Sequence, residues 1–374
     1  MSYTVKVIDS ITKIDRNTWE SFFQNPFYSY DWLRMLEISQ PVRVLPRHLI
    51  AYQNGQISAI IPCFLQHEEM YVTVEDRLFG RFKSWARLLG VRTIPALLAY
   101  APLSIYTEIG LHPSVDQREM VGELLSTMKQ VASEEGASLY GFMYLSGKEA
   151  LFSQILKENG FFGSFIVPAA YLDISWDTFE AYTRHLGQNM AKNIRREIRQ
   201  NLEAGIKIEE VTDFEPLAEE FARIFGQLFN RFKEKNCPFT PAFFRELPLR
   251  CPGMMTSFCA FQGEKLRGFS IVLKDRDIWR VVLASQDHTN FKKDNTFFDV
   301  AFYTPVRESI KQGVKRIYYG TENYETKLRR GCQLDPLFMW LRSPQKKINL
   351  LLPMWMRVLD LWYQKNYGSF LEEK

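Results

Sequence analysis

A rhythm of secondary-structure signals that occurs twice is the feature that most constrains this chain. In the first half, apolar periodicity and turn residues predict a strand over 3–9 and helices over 18–23 and 30–39. Strands over 47–52 and 57–65 follow, joined at Asn54-Gly55, then a helix over 115–135, a strand over 138–145, a helix over 149–159 and a strand over 165–174. The second half repeats the order: helix 178–204, strand 206–211, helix 215–235, strands 256–261, 266–274 and 277–285, helix 296–312, strand 314–319, a basic turn, and a last strand from Gln333. Helices that stop at Gly136, Gly160 and Gly205 fit left-handed C-caps. The expectation is an α+β chain built by duplicating a unit of about 150–170 residues, a normal domain size. Each unit is expected to be a mainly antiparallel mixed sheet flanked by helices. The expected boundaries are 1–176, 177–345 and a C-terminal amphipathic helix over 346–374, with the join near 175–177.

Composition narrows the function classes. Of 374 residues 46% are hydrophobic, enough to fill two cores, and the formal net charge is only +4, so no DNA partner is expected. The five cysteines, Cys63, Cys237, Cys251, Cys259 and Cys332, form no CxxC pair, and their odd, scattered count fits reduced thiols. His48, His67, His112, His185 and His288 lack ligand spacing, so no metal site is expected. The first twenty residues carry no apolar signal core, and a cytoplasmic protein is expected. The run 348–364, which contains Asn349, Pro353, Arg357 and Asp360, is too short and too polar to span a bilayer. It can cover the chain's own core, or lie on a membrane surface or a partner.

The candidate site residues gather near the C-terminus. Asp299, Tyr303, Arg307 and Ile310 fall at i, i+4, i+8 and i+11 and share one helix face. Lys327, Arg329 and Arg330 crowd before Gly331, a setting for an anionic ligand such as phosphate, or else a solvated basic loop. Asp299 is the expected base, or else a helix N-terminal carboxylate favouring the dipole, with Tyr303 beside it, while Glu325, two residues before Lys327, suits orienting an ammonium. On the helix over 184–204, Leu186, Met190, Ile194, Ile198 and Leu202 should face inward. Lys192, Arg195, Arg196 and Arg199 line the other side, as phosphate contacts or as a solvated face. Lys292 and Lys293 precede the helix over 296–312, whose free amides suit a phosphate, or else they are solvated lysines. A second basic patch (Arg77, Arg81, Lys83, Arg87, Arg92) is interleaved with apolar residues. There is no Gly-x-Ser-x-Gly elbow and no Cys–His pairing, which disfavours a covalent intermediate.

Several segments together resemble a known family. They are Asn25-PFYSYDWLRMLE, Arg47-HLIAYQNGQISAIIPCFL, Asn193-IRREIRQNLEAGIKI, Phe298-DVAFYTPVRESIKQGVKRIYYG and Lys327-LRRG. They are similar to the FemAB-like, peptidoglycan-biosynthesis branch of the GNAT superfamily, in which two acyltransferase-type domains sit in tandem. Thr326 stands where that family usually has His, and Asp299 where it has Glu. The resemblance implies an N-acyltransferase that uses acyl-CoA or a phosphopantetheinyl acyl-carrier protein as co-substrate, with no permanently bound cofactor. The acceptor would be the amine of an amino acid, peptide or amino sugar. The alternative it implies is an aminoacyl-tRNA-dependent transfer to a peptide or cell-wall precursor. Lys192, Arg195, Arg196, Lys292, Lys293, Lys327 and Arg330 are the expected donor contacts.

Overall fold

Asn54 and Gly55 both adopt left-handed backbone conformations (φ 52° and 80°), the turn that right-twisted antiparallel strands require. They join His48–Gln53 to Gln56–Ile61 as expected. The computed structural model describes residues 3–39, 44–67, 74–88, 90–231, 237–289 and 295–372. The chain divides into two units, Met1–Pro168 with Asp335–Lys374, and Ala169–Leu334.

In the first unit, Tyr3–Ile8, the hairpin strands and Gly110–Leu111 form one antiparallel sheet. A second sheet runs Val44–Pro46, Cys63–Gln66, Ala96–Ala99 and Leu139–Ser146, and the last of these pairs antiparallel with residues 337–342. Of these contacts, Ala96–Ala99 against Leu139–Ser146 is parallel. The helix Gln117–Glu134, N-capped by the Asp116 carboxylate, buries Met120, Val121, Leu124, Leu125 and Met128 against the strands.

The second unit repeats this order of pairings. Ile206–Val211, Met255–Gln262, Lys265–Asp275 and Ile278–Gln286 are successively antiparallel; Ile278–Gln286 then pairs parallel with Arg316–Gly320, which pairs antiparallel with residues 170–173. Duplication is therefore visible as topology: antiparallel, parallel, antiparallel in both units.

The same pairings displace the expected boundaries. Residues 170–173, read from sequence as the end of the first unit, instead pair into the sheet of the second unit, and residues 337–342 pair with Leu139–Ser146 of the first. The helix Lys346–Tyr363 is likewise part of the first unit, with Trp355 Nε1 donating to the Leu78 carbonyl at 3.1 Å and Tyr363 Oη donating to that of Arg77 at 2.8 Å. No helix among the described residues is long and apolar enough to cross a membrane.

Two local departures matter for the site. The helix expected over 178–204 is broken at Gly187 (φ 88°) into Phe179–His185 and Gln188–Glu203. A helix not foreseen, Pro241–Arg250, starts on a Thr240 side-chain cap with proline in its first turn.

Candidate active site

The site of the second unit starts with Pro305. A proline inside a helix cannot donate to the carbonyl four residues back, and its ring crowds that carbonyl. Here the helix widens: Thr296–Phe298 leads into a π-turn over Asp299–Tyr303 before Thr304–Lys311 resumes. The Thr304 amide donates to the Asp299 carbonyl, five residues back, and the Ser270 hydroxyl donates to the Val300 carbonyl at 2.6 Å. Such turns inside α-helices are frequent at functional sites.

The widened helix lies along Gln188–Glu203 with a polar seam between them. Asn201 Nδ2 donates to Asp299 Oδ2 at 3.1 Å, and Tyr303 Oη donates to Glu197 Oε2. Asp299 and Tyr303 are four apart, as are Glu197 and Asn201, and the reversed pairing means the helices run antiparallel. Tyr303 Oη also accepts from Arg330 Nη2 at 2.9 Å, and Arg330 Nη2 lies 3.7 Å from Glu197 Oε2. The Arg330 guanidinium stacks 4.1 Å from the centre of the Phe298 ring. Tyr303 and Arg330 are almost wholly buried (0% and 6% exposed), while the Glu197 side chain keeps 16% of its surface. Burial drives the Tyr303 phenol well above its ordinary pKa, so it stays protonated and donates to the carboxylate.

Asp299 is 5% exposed, and burial raises its pKa while Asn201 and the Thr304 hydroxyl (3.2 Å) oppose the shift. Its Oδ2 is thus tied to the facing helix and its Oδ1 to Thr304 of its own helix. Asp299, expected as the base, therefore sits in the seam with both oxygens hydrogen-bonded. Lys327 also differs from expectation. Its ammonium is buried and donates to the carbonyls of Tyr319, Gly320 and Thr321 at 2.8, 3.1 and 2.7 Å. Burial lowers its pKa to about 8. A cation with three carbonyl partners has no hydrogen left for a phosphate. It instead pins a loop in which Glu322 and Asn323 both hold left-handed backbone (φ 69° and 51°). Glu325 is exposed and pairs with Arg329 at 2.5 Å, because one helical turn places residues four apart together and turns Glu325 away from Lys327.

Lys192, Arg195 and Arg196 stand exposed on the helix that carries Glu197, as expected, and Arg199 reaches Glu203 at 3.7 Å. Leu202, expected inside, is 65% exposed; Asn201 takes the inward position instead. Lys292 and Lys293 lie outside the described residues. In the first unit's basic patch, Lys83 pairs with Asp76 at 2.8 Å, Arg87 with Glu75, and Arg77 Nε donates to Tyr144 Oη at 3.3 Å. Among the described residues no group of three or more His, Cys, Asp or Glu could hold a metal, and all five cysteines are free thiols.

The parallel ladder ends early beside the seam. The parallel ladder between Ile278–Gln286 and Arg316–Gly320 spans only Ile278/Arg316, Trp279/Ile317 and Arg280/Tyr318. Just past it, Val282 is an extra residue against the neighbouring strand, and Tyr319 is an extra residue against residues 170–171. A bulge bends its strand and ends local pairing. Both strands are thus bent where they part, and Tyr319 stacks on Phe302 of the widened helix at 4.6 Å.

Residues 10–349 match the family FemAB-like, described as peptidoglycan biosynthesis/recognition. The chain belongs to the FemAB-like family. It is accordingly a transferase of the acyl or aminoacyl type. Three solved structures share the fold of this FemAB-like chain. FemX is 10% identical with a TM-score of 0.58, over 91% of this chain and 97% of its own. L-PGS from Bacillus licheniformis is 11% identical with a TM-score of 0.55, over 96% and 99%. A tandem GNAT protein from the clavulanic acid biosynthesis pathway is 9% identical with a TM-score of 0.53, over 92% and 99%. The two units of this FemAB-like chain are tandem GNAT-like domains. No curated protein sequence matches it.

Proposed function

We propose that the chain transfers an acyl group from a phosphopantetheine thioester, carried by coenzyme A or an acyl-carrier protein, to the amine of an amino acid, peptide or amino sugar. The early, bulged end of the parallel ladder carries this reading. Past Arg280/Tyr318 the two strands no longer pair with each other, and with the Tyr319, Gly320 and Thr321 carbonyls held by Lys327 it is the backbone of Ile278–Gln286 that would meet the amides of a pantetheine arm. Lys192, Arg195 and Arg196 form a positive face for the donor's phosphates, with Lys292 and Lys293 as further contacts.

Glu197 is the proposed base, because it is the seam carboxylate with surface left exposed. It takes one proton from the ammonium; the amine nitrogen then bonds to the thioester carbonyl carbon, the carbon–sulfur bond breaks, the departing sulfur receives that proton from Glu197, and the nitrogen releases its second surplus proton to water. Tyr303 and Arg330 position Glu197 from behind, and Asp299 holds the helix that carries Tyr303. Holding both reactants at one site supplies much of the rate, since effective molarities reach about 10⁵ M or more.

A second reading, aminoacyl transfer from tRNA to a peptide or cell-wall precursor, draws on the family membership and on the exposed cationic helix face. Equilibrium titration with acyl-CoA and with aminoacylated tRNA separates the two. Acyl-CoA binding that weakens in an Arg195→Ala/Arg196→Ala variant supports the thioester donor. Binding of tRNA alone replaces it with the second reading, and binding of neither removes both.

A further inference from the structure

The helix Lys346–Tyr363 has two unlike faces. Leu352, Met356, Leu359 and Tyr363 point inward and are buried, and Asp360 accepts the Phe165 amide at 2.8 Å. Outward, Leu350, Leu351, Met354, Leu361 and Trp362 are 77%, 66%, 65%, 64% and 52% exposed. At 100° per residue these apolar side chains form one stripe along the helix, and Lys346, Lys347, Arg357 and Lys365, all exposed, fall in or beside it. Asp360 is the only acidic residue over 346–370, and its carboxylate is turned inward.

We infer that this face of the C-terminal helix docks flat on an anionic lipid bilayer. Large exposed apolar side chains with tryptophan and interspersed cations match the acyl boundary and the headgroup phosphates of such a surface. A protein partner fits less well, because interface cores are depleted in lysine. The helix is not apolar enough to cross a membrane, and its inward face is already packed on the first unit, so lying in the interface plane is the arrangement that buries the stripe. Phe82, Trp85 and Leu88 (55%, 66% and 78% exposed) lie in the segment after Val74–Phe79, and the Phe79 ring lies 5.5 Å from that of Trp355. Further apolar surface therefore follows closely in the chain on a segment packed on this helix.

The test is co-sedimentation of the full chain with vesicles of phosphatidylcholine alone and of phosphatidylcholine mixed with phosphatidylglycerol. Partitioning is expected on the mixed vesicles and should fall in about 1 M salt, where the screening length is about 3 Å. Lys347→Glu/Arg357→Glu/Lys365→Glu should lower it on the order of 100-fold, at roughly fivefold per cation removed before the effect of reversal. Leu350→Ser/Leu361→Ser should lower it on its own while leaving the melting temperature unchanged, since both residues are exposed. Absence of partitioning, or equal partitioning of the charge-reversed variant, overturns the inference. So does a salt-resistant dimer in sedimentation velocity that the leucine variant abolishes while vesicles bind nothing.

Discussion

Removing one oxygen, by Tyr303→Phe, probes the seam most directly. The phenol donates to Glu197 and accepts from Arg330 at 2.9 Å, so the substitution deletes two hydrogen bonds to charged groups, each worth about 1.5–3 kcal/mol. Arg330 is 6% exposed and cannot regain water, but Glu197, 3.7 Å away, can move in and recover part of the loss. The expected cost is therefore about 2–4 kcal/mol in urea denaturation, with faster hydrogen exchange along the widened helix. A double-mutant cycle with Glu197→Gln should give a coupling of at least about 1 kcal/mol, because both partners meet at one oxygen. Additive effects, with Tyr303→Phe costing less than about 0.5 kcal/mol, would refute the network.

Other outcomes follow from the same geometry. Burial carries the Lys327 ammonium from 10.5 down to about 8, so between those values the unfolded chain holds a proton that the folded chain has released. Wild-type stability relative to Lys327→Met should therefore rise with pH across that window, by up to about 1.4 kcal/mol per unit, and a flat or falling difference would count against the burial. Gly331 has φ 82°, and a Cβ there would sit 3.0 Å from Leu186 Cδ2; Gly331→Ala should cost about 1–3 kcal/mol by thermal denaturation, and a neutral result would contradict the turn. Arg195→Ala/Arg196→Ala should weaken acyl-CoA binding by about fivefold or more, more strongly at low salt, with unchanged melting; salt-independent loss would point away from phosphate contact.

Sequence and structure agree where local chemistry decides the outcome. Asn54-Gly55 produces the expected hairpin, and Gly136, Gly160 and Gly205 end helices in left-handed conformations (φ 64°, 75° and 73°). The strand Ile206–Val211 appears with the expected ends, and the α+β duplication is present as repeated pairing order. What depends on long-range pairing was not legible. Strand periodicity cannot say which sheet a strand completes, and residues 170–173 and 337–342 each pair into the unit opposite to the one their sequence position suggests. The site divides in the same way. The Asp299–Tyr303 stripe was readable from spacing, but its partners lie about a hundred positions away on another helix. Glu197 did leave a signal, as the one acidic residue within 188–202 of an otherwise basic helix; Pro305 likewise announced the widened turn. Lys327 gave none, because a lysine that serves buried carbonyls has the same letter as one that serves water.

The role of Glu197 is measured most directly by following thiol release from acyl-CoA in the presence of a panel of amines, comparing wild type with Glu197→Gln. The account expects kcat to fall by about 10²–10⁴-fold while the donor's dissociation constant stays unchanged, as for loss of a general base. Wild-type turnover in Glu197→Gln would contradict it.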